Sequence, residues 1–262
     1  MSLRRLGFDD AGDGEPALLL LTGWCSSRGR WDEARPLLAR NRRVVSFEWC
    51  GHGESQPADG DFGTPEMVDD AVAVIEATGL RTVIPCSASH SGWIAIELGR
   101  RWGLARVPAI VHLDWTVTEP PLPYMELLAE LQSPTGWPQA RDTLFEIWRA
   151  GSDSPQIARA LEVMRGQDAE MWMRSGRVIE GSYRTHSSPL HALSQLQSPP
   201  RVLHLYGQPR GDEYLSAQRE FAATHPWFHV DRLSGATHFS MIETPEEVAD
   251  AIEAFVASVP VP

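Results

Sequence analysis

The chain of 262 residues contains no lysine, so all 23 of its basic residues are arginine. A lysine Schiff base is therefore excluded as a catalytic intermediate. The three cysteines, Cys25, Cys50 and Cys86, are odd in number and form no CxxC pair, so neither a disulfide framework nor a zinc knuckle is indicated. We expect each of them to be a buried free thiol.

Long apolar runs are also missing. No stretch approaches the roughly 20 apolar residues that cross a bilayer, and the two arginines near the N-terminus are not followed by the apolar segment of a secretory signal. The formal net charge of −12, from 35 acidic against 23 basic residues, would repel a phosphate backbone. We therefore expect a cytoplasmic protein that binds neither a membrane nor nucleic acid.

Short apolar runs alternate with helix-like segments along most of the chain. Strands buried on both faces are predicted at residues 17–24, 44–49, 82–87, 107–115, 201–207 and 227–233. Helices are predicted to begin at Thr64, at Trp93, near residue 213 and at residues 244–247, where TPEE fits a capping box. This alternation indicates an α/β fold with a mostly parallel sheet and helices on both faces.

Residues 116–195 differ in character from the rest of the chain. The segment is proline-rich at its start, then helical and aromatic, and it contains no convincing strand. We interpret it as a helical cap inserted into an α/β core that is formed by residues 1–115 and 196–262.

The stretch PCSASHSGW at residues 85–93 joins a predicted strand to a predicted helix and contains three serines. A nucleophile elbow needs small residues two positions before and two positions after its nucleophile. Only Ser89, which lies between Ser87 and Ser91, meets both conditions. The alternative is that these serines cap the following helix.

Two further polar residues follow predicted strands. Asp114 closes the strand IVHLD, and His238 lies just beyond the strand that ends at Leu233. The chain order Ser, Asp, His is that of the α/β-hydrolase triad, in which the carboxylate orients the imidazole and stabilises its protonated form.

The other histidines have simpler interpretations. We expect His52 to pack within a loop, and His112 and His204 to be core residues because they lie inside predicted strands.

Six longer motifs are more specific than the fold pattern. They are GWC at 23–25, SASHSGW at 87–93, LDW at 113–115, EMWMRSGRVIEGSYRTHSSPL at 170–190, QREFAATHPWF at 218–228 and GATHF at 235–239. Together they closely resemble the cofactor-independent 2,4-dioxygenases of 3-hydroxy-4-quinolones, along nearly the whole chain. The resemblance implies an α/β-hydrolase fold with a helical cap that cleaves an N-heteroaromatic ring with O₂ and expels carbon monoxide.

The resemblance also implies a chemical role for each residue of the triad. His238, supported by Asp114, would remove the proton of the substrate 3-hydroxyl, and Ser89 would hydrogen-bond the substrate rather than attack it. The expected partners are an N-heteroaromatic small molecule and O₂, with no metal or organic cofactor. The sequence contains neither an HExxH nor a GxGxxG motif, which is compatible with that expectation.

Three further residues are implicated by the same resemblance. Trp24 and His90 are expected to border the pocket, with their backbone N–H groups facing developing negative charge. Trp148 is expected to line the pocket from the cap. Other members often have a polar residue or histidine and then aspartate after GWC, where this chain has Ser26, Ser27 and Arg28.

Fold and triad alone leave other functions open. One alternative is an ester or amide hydrolase that works through an acyl intermediate on Ser89, and another is a binding protein for aromatic signals without turnover. The sequence also leaves open the substituent at position 2 of the quinolone and the oligomeric state.

Overall fold

The computed structural model describes residues 6–58 and 60–260, and within them seven strands form one sheet in the order β1-β3-β2-β4-β5-β6-β7. The strands are β1 (Phe8–Ala11), β2 (Ala17–Leu21), β3 (Val44–Phe47), β4 (Val83–Ala88), β5 (Ala109–Leu113), β6 (Arg201–Tyr206) and β7 (Phe228–Arg232). All six predicted strands are confirmed, and they pair in parallel. The unpredicted β1 pairs antiparallel with β3 at the edge of the sheet, where its half-exposed sequence FDDA carries no apolar run.

Helices cover both faces of the sheet. Those of the core are α1 (Arg35–Leu38), α2 (Thr64–Thr78), α3 (Gly92–Arg106), α9 (Asp212–Thr224), α10 (Ser240–Glu243) and α11 (Pro245–Ala257). Alternate residues of β2 point to opposite sides, so that Leu19 packs with α2 and α3 while Leu18 packs with α1 and α11. The predicted α/β architecture is confirmed.

The segment between β5 and β6 is helical throughout. It contains α4 (Leu122–Glu130), α5 (Trp137–Arg149), α6 (Pro155–Arg165), α7 (Ala169–His186) and α8 (Pro189–Ser194). Helix α7 packs against both α4 and α5. We refer to residues 116–195 as the cap. Over the described ranges, no helix combines the length and apolar character needed to cross a membrane.

The capping box predicted at residues 244–247 is wrong. Helix α11 follows α10 directly, and the Thr244 hydroxyl donates to the Ser240 carbonyl oxygen at 3.3 Å instead of capping α11. The Glu247 carboxylate accepts from the N–H and hydroxyl of Ser234. The Glu247 carboxylate therefore bonds to the loop at Ser234 and does not form the helix cap that the sequence pattern predicts.

Candidate active site

The ends of three strands bring the predicted triad residues to one cavity. Ser89 follows β4, Asp114 follows β5, and His238 lies in the loop after β7. Because parallel strands place their carboxyl ends at the same edge of a sheet, these residues converge there. Together with Trp148 of α5 they line a cavity of about 610 Å³.

Of the three serines, only Ser89 lines this cavity. The Ser87 hydroxyl donates to the Val111 carbonyl oxygen at 3.2 Å, and the Ser91 hydroxyl donates to that of Ala88 at 2.9 Å. Ser91 precedes α3 but makes no side-chain capping bond. Among the described residues the Ser89 hydroxyl has no hydrogen-bond partner, which leaves it available to a bound molecule.

The elbow and the neighbouring strand end both carry backbone strain. Ser89 has a φ of 56° and Asp114 a φ of 48°, which place two non-glycine residues in the left-handed region at a cost of roughly 1–2 kcal/mol each. Gly92 completes the tight turn, since a Cβ atom there would lie 2.1 Å from the Trp115 ring. These constraints explain why small residues surround Ser89.

Asp114 is held in a fixed orientation by its hydrogen bonds. Its carboxylate accepts from the Gly207 N–H at 2.9 Å, from the Ser240 N–H at 2.9 Å and from the Ser240 hydroxyl at 2.8 Å. Burial raises the pKa of this carboxyl group, and the three hydrogen bonds and the Arg30 charge oppose that rise. Asp114 thus ties the loop after β6 and the start of α10 to the end of β5.

His238 is held by the cap. Its backbone N–H donates to the Trp148 carbonyl oxygen at 2.7 Å. Its ring stacks on the Trp148 indole, with centroids 5.1 Å apart and an interplanar angle of 16°. Burial, followed by the positive charge of Arg30, lowers the pKa of His238 well below its usual value. The imidazole is therefore neutral at neutral pH and able to accept a proton.

The expected hydrogen bond between Asp114 and His238 is not found among the contacts of the described residues. The imidazole stacks on Trp148, and Gly207 and Ser240 occupy three acceptor positions of the carboxylate. A carboxylate has about four such positions, so one is still open to the imidazole. Catalytic hydrogen bonds often tighten only when substrate binds.

Neither Trp24 nor His90 is among the described residues that line the cavity, so their expected place at its border stays a prediction. The Trp24 ring stacks on Phe62 with centroids 5.3 Å apart. The His90 ring is buried, and burial lowers its pKa to about 3. A Cβ atom at Gly23 would lie 3.6 Å from that of Ser89, so the GWC backbone passes beside the elbow even though the Trp24 and His90 side chains do not line the cavity.

His52 fixes the conformation of the GWC segment. The Cys25 N–H donates to His52 Nε2 at 3.1 Å, and His52 Nδ1 lies 3.1 Å from the Cys50 carbonyl oxygen, so Nδ1 carries the hydrogen. Burial lowers the pKa of His52 to about 4, which keeps the ring neutral. The expected role in loop packing is confirmed. His112 and His204 are fully buried core residues, as predicted, and all three cysteines are buried, with no disulfide among the described residues.

Comparisons with known proteins place this geometry in a family. Residues 18–251 match the model of the alpha/beta hydrolase family. The chain is 36% identical over 250 residues to a 2-heptyl-3-hydroxy-4(1H)-quinolone dioxygenase from Mycobacteroides abscessus, covering 94% of this chain and 92% of the relative. It is 36% identical over 251 residues to a 1H-3-hydroxy-4-oxoquinoline 2,4-dioxygenase from Pseudomonas putida, covering 95% of each. The chain belongs to the 3-hydroxy-4-quinolone dioxygenase family.

A solved structure of a quinolone-cleaving protein agrees with this assignment. The AqdC variant in complex with its substrate, the Pseudomonas quinolone signal, superposes with a TM-score of 0.93 at 35% identity, covering 97% of each chain. The resemblance to the dioxygenase family and the α/β-hydrolase fold, both inferred from sequence, are therefore confirmed.

This member of the dioxygenase family also has site residues that sequence reasoning missed. Gln208, two residues after the end of β6, donates from Nε2 to the Trp148 carbonyl oxygen at 2.9 Å. The Tyr214 hydroxyl donates to the Trp115 carbonyl oxygen at 2.8 Å and accepts from the Val117 N–H at 3.0 Å, which fixes the loop after Asp114. Gln208 follows a predicted strand and could have been found by that rule, whereas Tyr214 carries no such signal.

The departure from the family pattern after GWC lies away from the cavity. Arg28 forms ion pairs with Asp9 at 2.9 Å, with Glu54 at 2.7 Å and with Glu48 at 2.5 Å. Residues 26–28 are all described, and none of them lines the 610 Å³ cavity.

Proposed function

We propose that this protein is a cofactor-independent dioxygenase that cleaves a 3-hydroxy-4(1H)-quinolone with O₂ into an N-acylanthranilate-type product and carbon monoxide. The observation that carries the proposal is the neutral His238 imidazole, which lines a cavity with Ser89 in a chain 36% identical to two quinolone dioxygenases.

The walls of the cavity suit a flat heteroaromatic ring. Aromatic side chains from the core and the cap line it, together with aliphatic side chains of α4 and α5. These side chains are Trp115, Tyr124, Leu127, Leu144, Trp148 and Tyr214. Apolar walls with a few polar groups at one end are typical of sites that bury a planar ligand and fix its orientation.

In the proposed mechanism, His238 removes the proton of the substrate 3-hydroxyl, and Ser89 orients the substrate through a hydrogen bond. The ring anion is electron-rich and passes one electron to O₂. The two radicals combine into a peroxide at C2, whose outer oxygen attacks the C4 carbonyl carbon. The backbone N–H groups of Trp24 and His90 are proposed to stabilise the charge on that carbonyl oxygen.

Bond cleavage then completes the balance. The O–O, C2–C3 and C3–C4 bonds break, and C3 leaves with its own oxygen as carbon monoxide. One atom of O₂ stays on C2 as the acyl oxygen, and the other stays on C4 in the carboxylate. The proton held by His238 returns to the product. Asp114 supports the charged imidazolium while it holds that proton.

The experiment that tests this proposal mixes the metal-free protein with 3-hydroxy-4-quinolones without oxygen and then adds O₂. We expect the absorbance of the substrate anion to appear before O₂ is added, followed by release of one carbon monoxide per O₂ consumed. Rapid cleavage of simple esters with no carbon monoxide from any quinolone would contradict the proposal.

One observation favours a second function, hydrolysis through an acyl intermediate on Ser89. That observation is the elbow geometry, with a φ of 56° at Ser89 and a free hydroxyl that lines the cavity. The variant Ser89→Ala separates the two functions. Loss of a catalytic nucleophile costs on the order of a millionfold in kcat, whereas loss of one substrate hydrogen bond costs about tenfold to a hundredfold.

A further inference from the structure

Arg30 is a charged residue in the protein interior beside the site. Its side chain is 3% exposed, in the turn that follows the GWC segment. Within residues 6–58 and 60–260, no carboxylate lies within 4 Å of its guanidinium group, in contrast to Arg28 of the same turn, which has three acidic partners. Burying a cation without a carboxylate partner costs folding free energy. The other contacts of Arg30 therefore show what holds it in the interior.

Three contacts of the Arg30 side chain lie on the segment that carries the proposed base. The guanidinium group donates to the His238 carbonyl oxygen, and Arg30 Nε lies 3.3 Å from the Met241 sulfur. The Phe239 ring lies under the guanidinium carbon, 4.6 Å from it. Arg30 therefore holds His238 from the core, while Trp148 contacts it from the cap.

Arg30 is also the positive charge that acts on both members of the predicted dyad. Burial lowers its pKa to about 10 and the charge of Asp114 opposes that change, so the group stays protonated at neutral pH. Its charge lowers the pKa of His238 and of Asp114.

Glu243 lies on the other side of the His238 loop, where it accepts from the Ala236 and Thr237 N–H groups. The other ionisable groups that line the cavity are Glu119, Tyr124, Glu213 and Tyr214.

A count of charges shows what Arg30 contributes. Before substrate ionises, Arg30 and Asp114 balance each other and His238 is neutral. When the proton moves to His238, the substrate becomes an anion and the total charge stays at zero. Without Arg30 the same groups would carry a total charge of −1 both before and after the proton moves, so the substrate would ionise beside the Asp114 carboxylate with no fixed cation to offset it. Like charges in a low-dielectric interior oppose ionisation strongly.

We propose that Arg30 is a positioning residue that holds the His238 segment and supplies the fixed positive charge that stabilises the substrate anion. This proposal rests on the proposed proton abstraction. It assigns to an interior arginine, rather than to a metal ion, the electrostatic stabilisation of the ionised ring.

The test uses three variants that separate charge from hydrogen bonding. Arg30→Lys keeps the charge, Arg30→Gln keeps an N–H donor for the His238 carbonyl, and Arg30→Met keeps neither. A 3-hydroxy-4-quinolone is bound to the full-length protein without oxygen, and its anion absorbance is titrated against pH. We expect the pH of half-ionisation of the bound ligand to rise by at least one unit in the Gln and Met variants, and by less than half a unit in the Lys variant.

The matched control is Arg35→Met, which removes an arginine charge that is paired with Asp9 and Asp32 on the surface. We expect its bound ligand to ionise at the wild-type pH. Unchanged ligand ionisation in both uncharged Arg30 variants, with only a loss of thermal stability, would overturn the proposal; either variant suffices if the other does not fold. A wild-type protein that never ionises the ligand would overturn the proposed function as well, so the two failures are distinguishable.

Discussion

The two walls of the cavity are built differently. The core wall consists of strand ends, where Asp114 is 2% exposed and accepts three hydrogen bonds. The cap wall consists of helices, where Ile147 lines the cavity and is 49% exposed. The chemistry therefore lies on the rigid wall, and the shape of the pocket is set on the more exposed one.

His238 belongs to both walls. Its backbone N–H and its ring contact Trp148 of the cap, while its backbone carbonyl oxygen accepts from Arg30 in the core. The hydroxyl and N–H of Ser240, two residues later, bind Asp114. A shift of α5 would therefore be transmitted directly to the proposed base.

Replacing this shared residue should have the largest effect. We expect His238→Ala to lower kcat about a thousandfold, because general base catalysis contributes about 10²–10⁴, and to leave the unfolding temperature nearly unchanged. Carbon monoxide release measures the rate. His191→Ala, an exposed cap histidine outside the cavity, is the matched control.

The pH dependence of the wild type tests the same residue. Burial and Arg30 lower the pKa of His238, so the imidazole is neutral above about pH 6.5 and stays so somewhat below it. The rate should thus be independent of this group at neutral pH and fall only as the solution becomes clearly acidic. His238 would not be the base if His238→Ala retained more than a tenth of the wild-type activity. A wild-type rate that already falls with decreasing pH above pH 7 would contradict this role as well.

The next largest effect is expected in the core wall, from the variant Asp114→Asn. The amide offers one oxygen where the carboxylate offers two, and its NH₂ group would face a donor such as the Ser240 N–H. We expect the free energy of unfolding to fall by about 2 kcal/mol and kcat to fall roughly tenfold to a hundredfold. Denaturant unfolding and carbon monoxide release give the two numbers.

The comparison variant is Ser240→Ala, which removes only the hydroxyl that bonds Asp114. It should cost about 1 kcal/mol of stability and change the rate less than Asp114→Asn does. Equal rates for the two variants would show that the carboxylate charge has no function beyond packing.

Local geometry explains how the sequence brings Ser89, Asp114 and His238 to one cavity. Ser89 is recognisable because its left-handed backbone tolerates only small neighbours, and Asp114 and His238 because strand ends of a parallel sheet converge. The strands of the core were predicted for the same reason, since each is a short apolar run bounded by turns. Strand β1, half exposed at the sheet edge, shows no such run.

The residues that sequence did not predict depend on distant parts of the chain. Arg30 contacts the His238 carbonyl oxygen across 208 positions, and Ser240 contacts Asp114 across 126. The stacking of His238 on Trp148 likewise joins the core to a cap helix. No local pattern marks an arginine that becomes buried or a histidine that stacks on the cap, because both follow from packing alone.

The cap wall should show the smallest effect. Ile147→Ala removes apolar contact from a side chain that is half exposed, so we expect KM to rise about threefold at the roughly 25 cal/mol per Å² of buried apolar area. Because this contact is the same in the ground state and in the transition state, kcat should stay unchanged. Val163→Ala, on a similarly exposed valine of α6 that is not among the described residues lining this cavity, should change neither value. A fall in kcat for Ile147→Ala would mean that the cap reaches the chemistry through Trp148 and His238, and the division between the two walls would then be wrong.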